Sequence, residues 1–208
     1  MKMKNKIQQL LVVTTSILAF VVSFTTVVNA STFSFSWAYK TNGLVDVKAS
    51  PEYLSSDYNG TVFDEGIDKW NASKANVIIS EVSRTASKVD LYTVSRSQWN
   101  DNGWGSGEAW AQGFSGTTPC TTTPVFTNPE DKCANSLINY GAVYTNDSNV
   151  SFWKSRREAL IAHEIGHIIG LKHTSLISAK SDSIMTANLE GGYDVSSYDE
   201  GEVNYKYR

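Results

Sequence analysis

An α+β fold is predicted for this chain of 208 residues. Runs with the two-residue alternation of strands lie mostly before residue 150, interrupted by one amphipathic helix, and a strongly helical segment follows from about residue 155. Strands and helices do not alternate strictly, which disfavours a doubly wound parallel sheet. All three histidines of the chain fall in one eleven-residue stretch, HEIGHIIGLKH, on and just after that last helix.

Residues 1–30 read as a secretory leader. Lys2, Lys4 and Lys6 form its charged start, an apolar run extends from about Leu10 to Val28, and Val28-Asn29-Ala30 places small residues where cleavage after Ala30 would occur. A single membrane anchor is the competing reading, because the run nearly matches a bilayer. The polar interruptions at Thr14, Thr15 and Ser16 and the small-residue exit favour removal. The remaining residues, 31–208, suit one domain with a sizeable core.

Without the three leader lysines, 15 basic residues face 21 acidic ones. No basic run remains, which disfavours nucleic acid or an anionic membrane as partner. A secreted monomer, free of the membrane once the leader is gone, is the expectation.

Along the domain, TFSFSWAY places Phe33, Phe35, Trp37 and Tyr39 on one face of a strand, and LVDVKAS continues extended up to a break at Ser50-Pro51. From about Asp57 to Ser73 the period changes: Phe63, Ile67 and Trp70 share one helical face. ANVIISEV (75–82) and VDLYTVSR (89–96) read as two strands, and WNDNGWGSG as a glycine-rich loop leading into an edge strand, EAWAQGF. Asp101, Asn102 and Glu108 in that loop offer oxygens to a calcium ion, although their spacing is not that of a helix-loop-helix calcium site; a solvated loop is the alternative. LINYGAVYTND is a further strand.

Cys120 and Cys133, an even pair in an exported chain, are expected to form a disulfide, stabilising by about 3 kcal/mol in the chain-entropy model. The alternative is a thiolate that blocks a metal site. From Ser155 the chain turns helical, with Ser155 and Glu158 matching a capping box, and the helix is expected over about Arg156 to Ile169. Gly170 then stands where a left-handed cap is needed.

On this helix His163 and His167 are four residues apart and project from one face, so both reach one ion. The stop at Gly170 lets the chain reverse and bring in His173 as a third ligand, leaving a fourth position open for water, as in catalytic zinc sites. Glu164, beside the first ligand, is the candidate general base for hydrolysis of an amide bond.

His163, Glu164, His167, Gly170 and His173 match the extended HExxHxxGxxH motif, by which the chain resembles the metzincin metallopeptidases. The resemblance implies a twisted, mostly parallel sheet with an antiparallel edge strand, an active-site helix, and a small C-terminal lobe (about 174–208) below an upper lobe (about 31–173). It also implies a turn carrying a methionine beneath one catalytic zinc, a role for Met185 in Ser183-Ile184-Met185. Within the family the likeness is to the matrixin branch: VFDEGIDKWNASKANVIISEV looks like its first helix and strand, and SYDEGEVNYKY, with Asp199 near its start, like its closing helix. EAWAQGF would then be the edge against which an extended protein or peptide substrate pairs.

The chain departs from relatives that carry a tyrosine two places after the methionine, since Ala187 stands there and Tyr193 is too far along. With every histidine used, a second histidine-based zinc site is excluded. Two functions remain in view: a secreted zinc endopeptidase, or a secreted binding or adhesion protein that keeps fold and metal without turnover.

Overall fold

The computed structural model describes residues 32–120, 133–149, 151, 153–174 and 181–208. The leader at 1–30, the interior of the disulfide loop at 121–132 and most of the SLISAKSDS segment lie outside them.

The elements in chain order are strands β1 (Ser36–Trp37), β2 (Lys40–Thr41) and β3 (Leu44–Pro51), helix α1 (Gly60–Asn71), β4 (Val77–Glu81), β5 (Val89–Val94), α2 (Arg96–Asp101), β6 (Ala109–Ser115), β7 (Thr118–Pro119), β8 (Leu137–Ile138), β9 (Tyr140–Asn146), α3 (Lys154–Ile168) and α4 (Ser197–Lys206). In the main sheet β4, β3, β5 and β9 run parallel in that spatial order, β6 lies antiparallel on β9, and the short β2 and β7 pair with β3 and β6. This is the expected α+β class, mostly parallel with an antiparallel edge. β7 covers only Phe114 and Ser115 of that edge strand.

Side-chain alternation divides the sheet's two faces. Val89, Leu91, Ala111 and Val143 join the main core with α1 and α3, whereas Val94, Trp99, Trp104 and Trp110 form a second cluster, flanked by Tyr92 and Tyr144, on the opposite face. The residues foreseen on one face of α1, Phe63, Ile67 and Trp70, are all buried, and the Trp70 indole donates to the Ala162 carbonyl at 2.8 Å, tying α1 to the middle of α3. The main core runs from Phe33 to Tyr207 without interruption.

Five local expectations need correction. The 33–39 segment has its aromatic residues inside, but it is not a strand of the main sheet: Ser36–Trp37 pair with β8, Phe33 N–H donates to the Gly170 carbonyl at 2.8 Å, and the segment meets β3 at its end, where Asp46 N–H donates to the Tyr39 carbonyl at 3.1 Å. The extended run continues through Ser50-Pro51, which pair with Asp90 and Leu91. The strand read over 89–96 ends at Val94, and helix α2, opened by a capping box between Ser95 and Gln98, takes up the first residues of the glycine-rich loop. The box expected at Ser155 and Glu158 is absent, because α3 starts one residue before Ser155 and Lys154 pairs with Glu158 at 2.9 Å across one turn. LINYGAVYTND is broken at Asn139 into β8 and β9.

Cys120 and Cys133 are disulfide-bonded, so neither offers a thiolate to a metal. Among the described residues no helix is long and apolar enough to cross a membrane.

Candidate metal centre

Helix α3 delivers the first two histidines from its buried stripe, and its C-terminus creates the third position. Gly170 has φ of +92°, and a Cβ there would stand 2.5 Å from Lys206 Cε. A left-handed cap this crowded accepts no side chain cheaply. The chain reverses at this point, and His173 returns to the ring of the other two. Gly170→Ala is expected to cost about 1–2 kcal/mol from backbone strain, since the end of the Lys206 side chain can move aside. Equilibrium denaturation of the variant against the parent measures it.

The three Nε2 atoms form a near-equilateral triangle: His163 to His167 is 3.1 Å, His167 to His173 is 3.1 Å, and His163 to His173 is 3.2 Å. Ligands placed tetrahedrally about 2.0–2.1 Å from a zinc ion stand about 3.3–3.4 Å apart, close to this spacing. The remaining ring nitrogens set the tautomers. His163 Nδ1 donates to the Ile184 carbonyl at 2.7 Å and His167 Nδ1 to the Leu171 carbonyl at 2.8 Å, leaving both Nε2 lone pairs directed at the common point. Burial pushes His163 down to about 3 and His173 to about 4, and holds His167 well below its ordinary value. All three rings are therefore neutral near pH 7, as a metal requires.

This arrangement makes the metal-free protein sensitive to acid. Each histidine titrates near 6.5 in the unfolded chain and much lower when folded, so the unfolded state binds more protons below about pH 6.5 and stability falls as pH drops from there toward 3–4. Glu164, raised to about 8 by burial, opposes with the opposite sign between its ordinary value of 4.5 and 8, one group against three. Metal-free protein is expected to melt earlier at pH 5.5 than at 7.5, and replacing all three histidines by alanine should shrink that difference.

Glu164 is buried, and its carboxylate accepts a hydrogen bond from the Ala111 N–H of β6, so it faces the edge strand. Met185 lies against the helix backbone: a Cβ on Gly166 would stand 2.4 Å from Met185 Sδ. The thioether thus packs at the helix position between His163 and His167, where the turn was expected to supply a floor. That turn is held by Asp199. Its Oδ2 accepts from Ile184 N–H at 3.0 Å and from Ser196 N–H and Oγ–H at 2.9 Å each, and its Oδ1 accepts from Ser183 Oγ–H at 2.5 Å. One carboxylate caps α4 and fixes the segment whose Ile184 carbonyl orients His163.

The calcium suggestion finds no support. Glu108 is held by Arg156, with Nη2 to Oε2 at 2.5 Å, and Asn102 Nδ2 donates to the Gln98 carbonyl at 2.7 Å within α2. Among the described residues, His163, His167 and His173 are the one group of such ligands gathered tightly enough for an ion. Tyr193 is hydrogen-bonded to Arg156. Sequence reasoning missed Arg156, whose partners lie 48 residues upstream at Glu108 and 32 downstream at the Asn188 carbonyl.

No family model matches this chain, and no curated protein matches it. Among solved structures it is similar to high choriolytic enzyme 1, a hatching-enzyme zinc-protease from Oryzias latipes (medaka fish), with 14% identity over 83% of this chain and 94% of that one and a TM-score of 0.46. Myroilysin is similar at 12% identity, covering 86% of this chain and 91% of that one, with a TM-score of 0.48. Both are likenesses of outline only. The chemistry has to be read from the side chains themselves.

Proposed function

We propose that the protein is a secreted zinc-dependent endopeptidase of the metzincin type, nearest in pattern to the matrixin branch. The observation that carries the reading is the triangle of three neutral imidazole nitrogens on the HExxHxxGxxH segment, with Glu164 beside it. His163, His167 and His173 would hold the ion. A zinc ion held there lowers the pKa of its water to about 7 and polarises a carbonyl.

The remaining work falls to the chain. Glu164, which a cation held beside it would return to its ionised form, would take the proton from the attacking water and pass it to the leaving amine, a role that its position next to the edge strand suits. β6 is the edge strand, its outer side occupied at Phe114 and Ser115 by β7, at the Gly113 carbonyl by Cys120 N–H and at the Ala111 N–H by Glu164, and an extended polypeptide would align by main-chain pairing along the stretch that begins at Ala109. Met185 and Gly170 support the ligands without touching the substrate. Secretion is supported by the leader-like start and by the disulfide, a bond typical of oxidising compartments. Residues 31–208 are read as one catalytic domain, acting as a monomer.

A scaffold that binds metal without turnover has no use for a carboxylate buried at Glu164 beside the ligands. Incubation of the purified protein with a mixed peptide library, read by mass spectrometry with and without chelator, tests the proposal. Internal cleavages that vanish with chelator are expected; zinc-loaded protein that cuts no peptide would support the scaffold instead.

A further inference from the structure

We propose that Arg156 is a positioning residue that braces the substrate cleft, tying the edge strand to the turn after Met185 across the face of the active-site helix. The inference rests on the peptidase reading for its kinetic consequence and on the geometry alone for the brace. Arg156 precedes His163 by seven residues, two helical turns, which puts it on the same stripe of α3 and about 10 Å along the axis. From there its guanidinium reaches both walls. Nη2 donates to Glu108 Oε2 at 2.5 Å, with a looser contact from Nε to Oε1 at 3.5 Å, immediately before β6 begins. Nη1 donates to the Asn188 carbonyl at 2.9 Å, and Tyr193 adds a further hydrogen bond.

The turn needs such a tie. Asn188 and Leu189 both adopt left-handed backbone angles, φ 59° and 54°, and a branched aliphatic residue rarely does so without outside restraint. The Arg156 contact lands on the first of these two residues. The pair with Glu108 is mostly shielded, with side-chain exposures of 20% and 23%, so its geometry is held better than that of an open surface pair. A planar fork joined to a carboxylate on one side and a carbonyl on the other is a task for arginine; lysine, with a single ammonium, cannot span both.

Two readouts test the brace. In Arg156→Ala, the amides of Leu189 and Gly191, bonded to the Thr186 carbonyl and hydroxyl, should exchange hydrogen about tenfold faster or more, while those of α3 near His163 stay unchanged. Peptide hydrolysis should show KM raised about tenfold with kcat and zinc affinity altered much less, because alignment is lost and the ligands are not. Arg156→Lys should recover little of either. Glu108→Gln, which keeps the Asn188 contact and the side-chain volume, should give an intermediate effect and serves if Arg156→Ala folds poorly. Unchanged exchange at Leu189 and Gly191 in both variants would overturn the brace. Faster exchange with unaltered KM would overturn its role in substrate alignment. A parent protein that cleaves nothing would count against the peptidase reading, with the exchange measurement still deciding the brace.

Discussion

Replacing Glu164 with alanine is expected to lower peptide hydrolysis about a thousandfold while leaving zinc bound, since a positioned acid-base group contributes about 10²–10⁴ in rate. Its carboxylate is buried and bonded to the Ala111 N–H, and it sits next to a ligand without joining the ligand triangle. Removing it would therefore take away the proposed proton carrier and leave the three imidazoles. Glu164→Gln keeps the shape and should be nearly as impaired, because an amide cannot accept the water's proton. Metal content by elemental analysis, together with steady-state kinetics, separates loss of the base from loss of the metal. Activity within tenfold of the parent in both variants would remove Glu164 from the chemistry.

The second large effect is expected at Asp199, far from the metal in sequence terms and silent in the motif. Asp199→Ala should destabilise the protein by about 3 kcal/mol or more, because several buried donors lose their acceptor together. A change of that size lowers Tm by roughly 10 °C in a domain of this length. The same substitution releases Ile184, whose carbonyl orients His163, and weakening such an outer partner costs about 10–100-fold in metal affinity. Asp199→Asn should recover part of both, since its oxygen can still accept from Ile184 and Ser196. Thermal unfolding and a zinc competition titration check the two effects; a shift below about 3 °C with unchanged affinity would show that the carboxylate does not hold the turn.

The gathering of the three histidines was legible because they lie close in sequence and each has a local rule. Four-residue spacing puts His163 and His167 on one helical face, and only a left-handed residue at Gly170 turns His173 back, so the motif carries its own geometry. The strands β4, β5 and β6 were legible as β-rich runs bounded by polar or glycine-rich segments, and the buried face of α1 because Phe63, Ile67 and Trp70 recur at helical spacing.

What escaped depends on distant partners. Phe33, Phe35 and Trp37 alternate as a strand does, yet their burial comes from packing near the end of α3, with Trp37 N–H donating to the Tyr207 hydroxyl 170 residues away. The Ser155 and Glu158 pattern fits a capping box, but Lys154 takes Glu158 first. The true boxes are at Ser95 with Gln98 and at Ser196 with Asp199. Asp199 combines a local cap with a long-range clamp, and only the cap has a sequence signature. Arg156 has none, since neither of its principal partners is within a helical turn.

The proposed activity requires a zinc ion in the histidine triangle. Its most direct test is to strip the purified mature protein with a chelator, add zinc back in measured steps, and follow cleavage of an unfolded protein substrate. No cleavage by the stripped protein is expected, with a return of activity that saturates at one zinc per chain. Cleavage that persists after stripping, or one bound zinc with no cleavage of any substrate tried, would contradict the proposal.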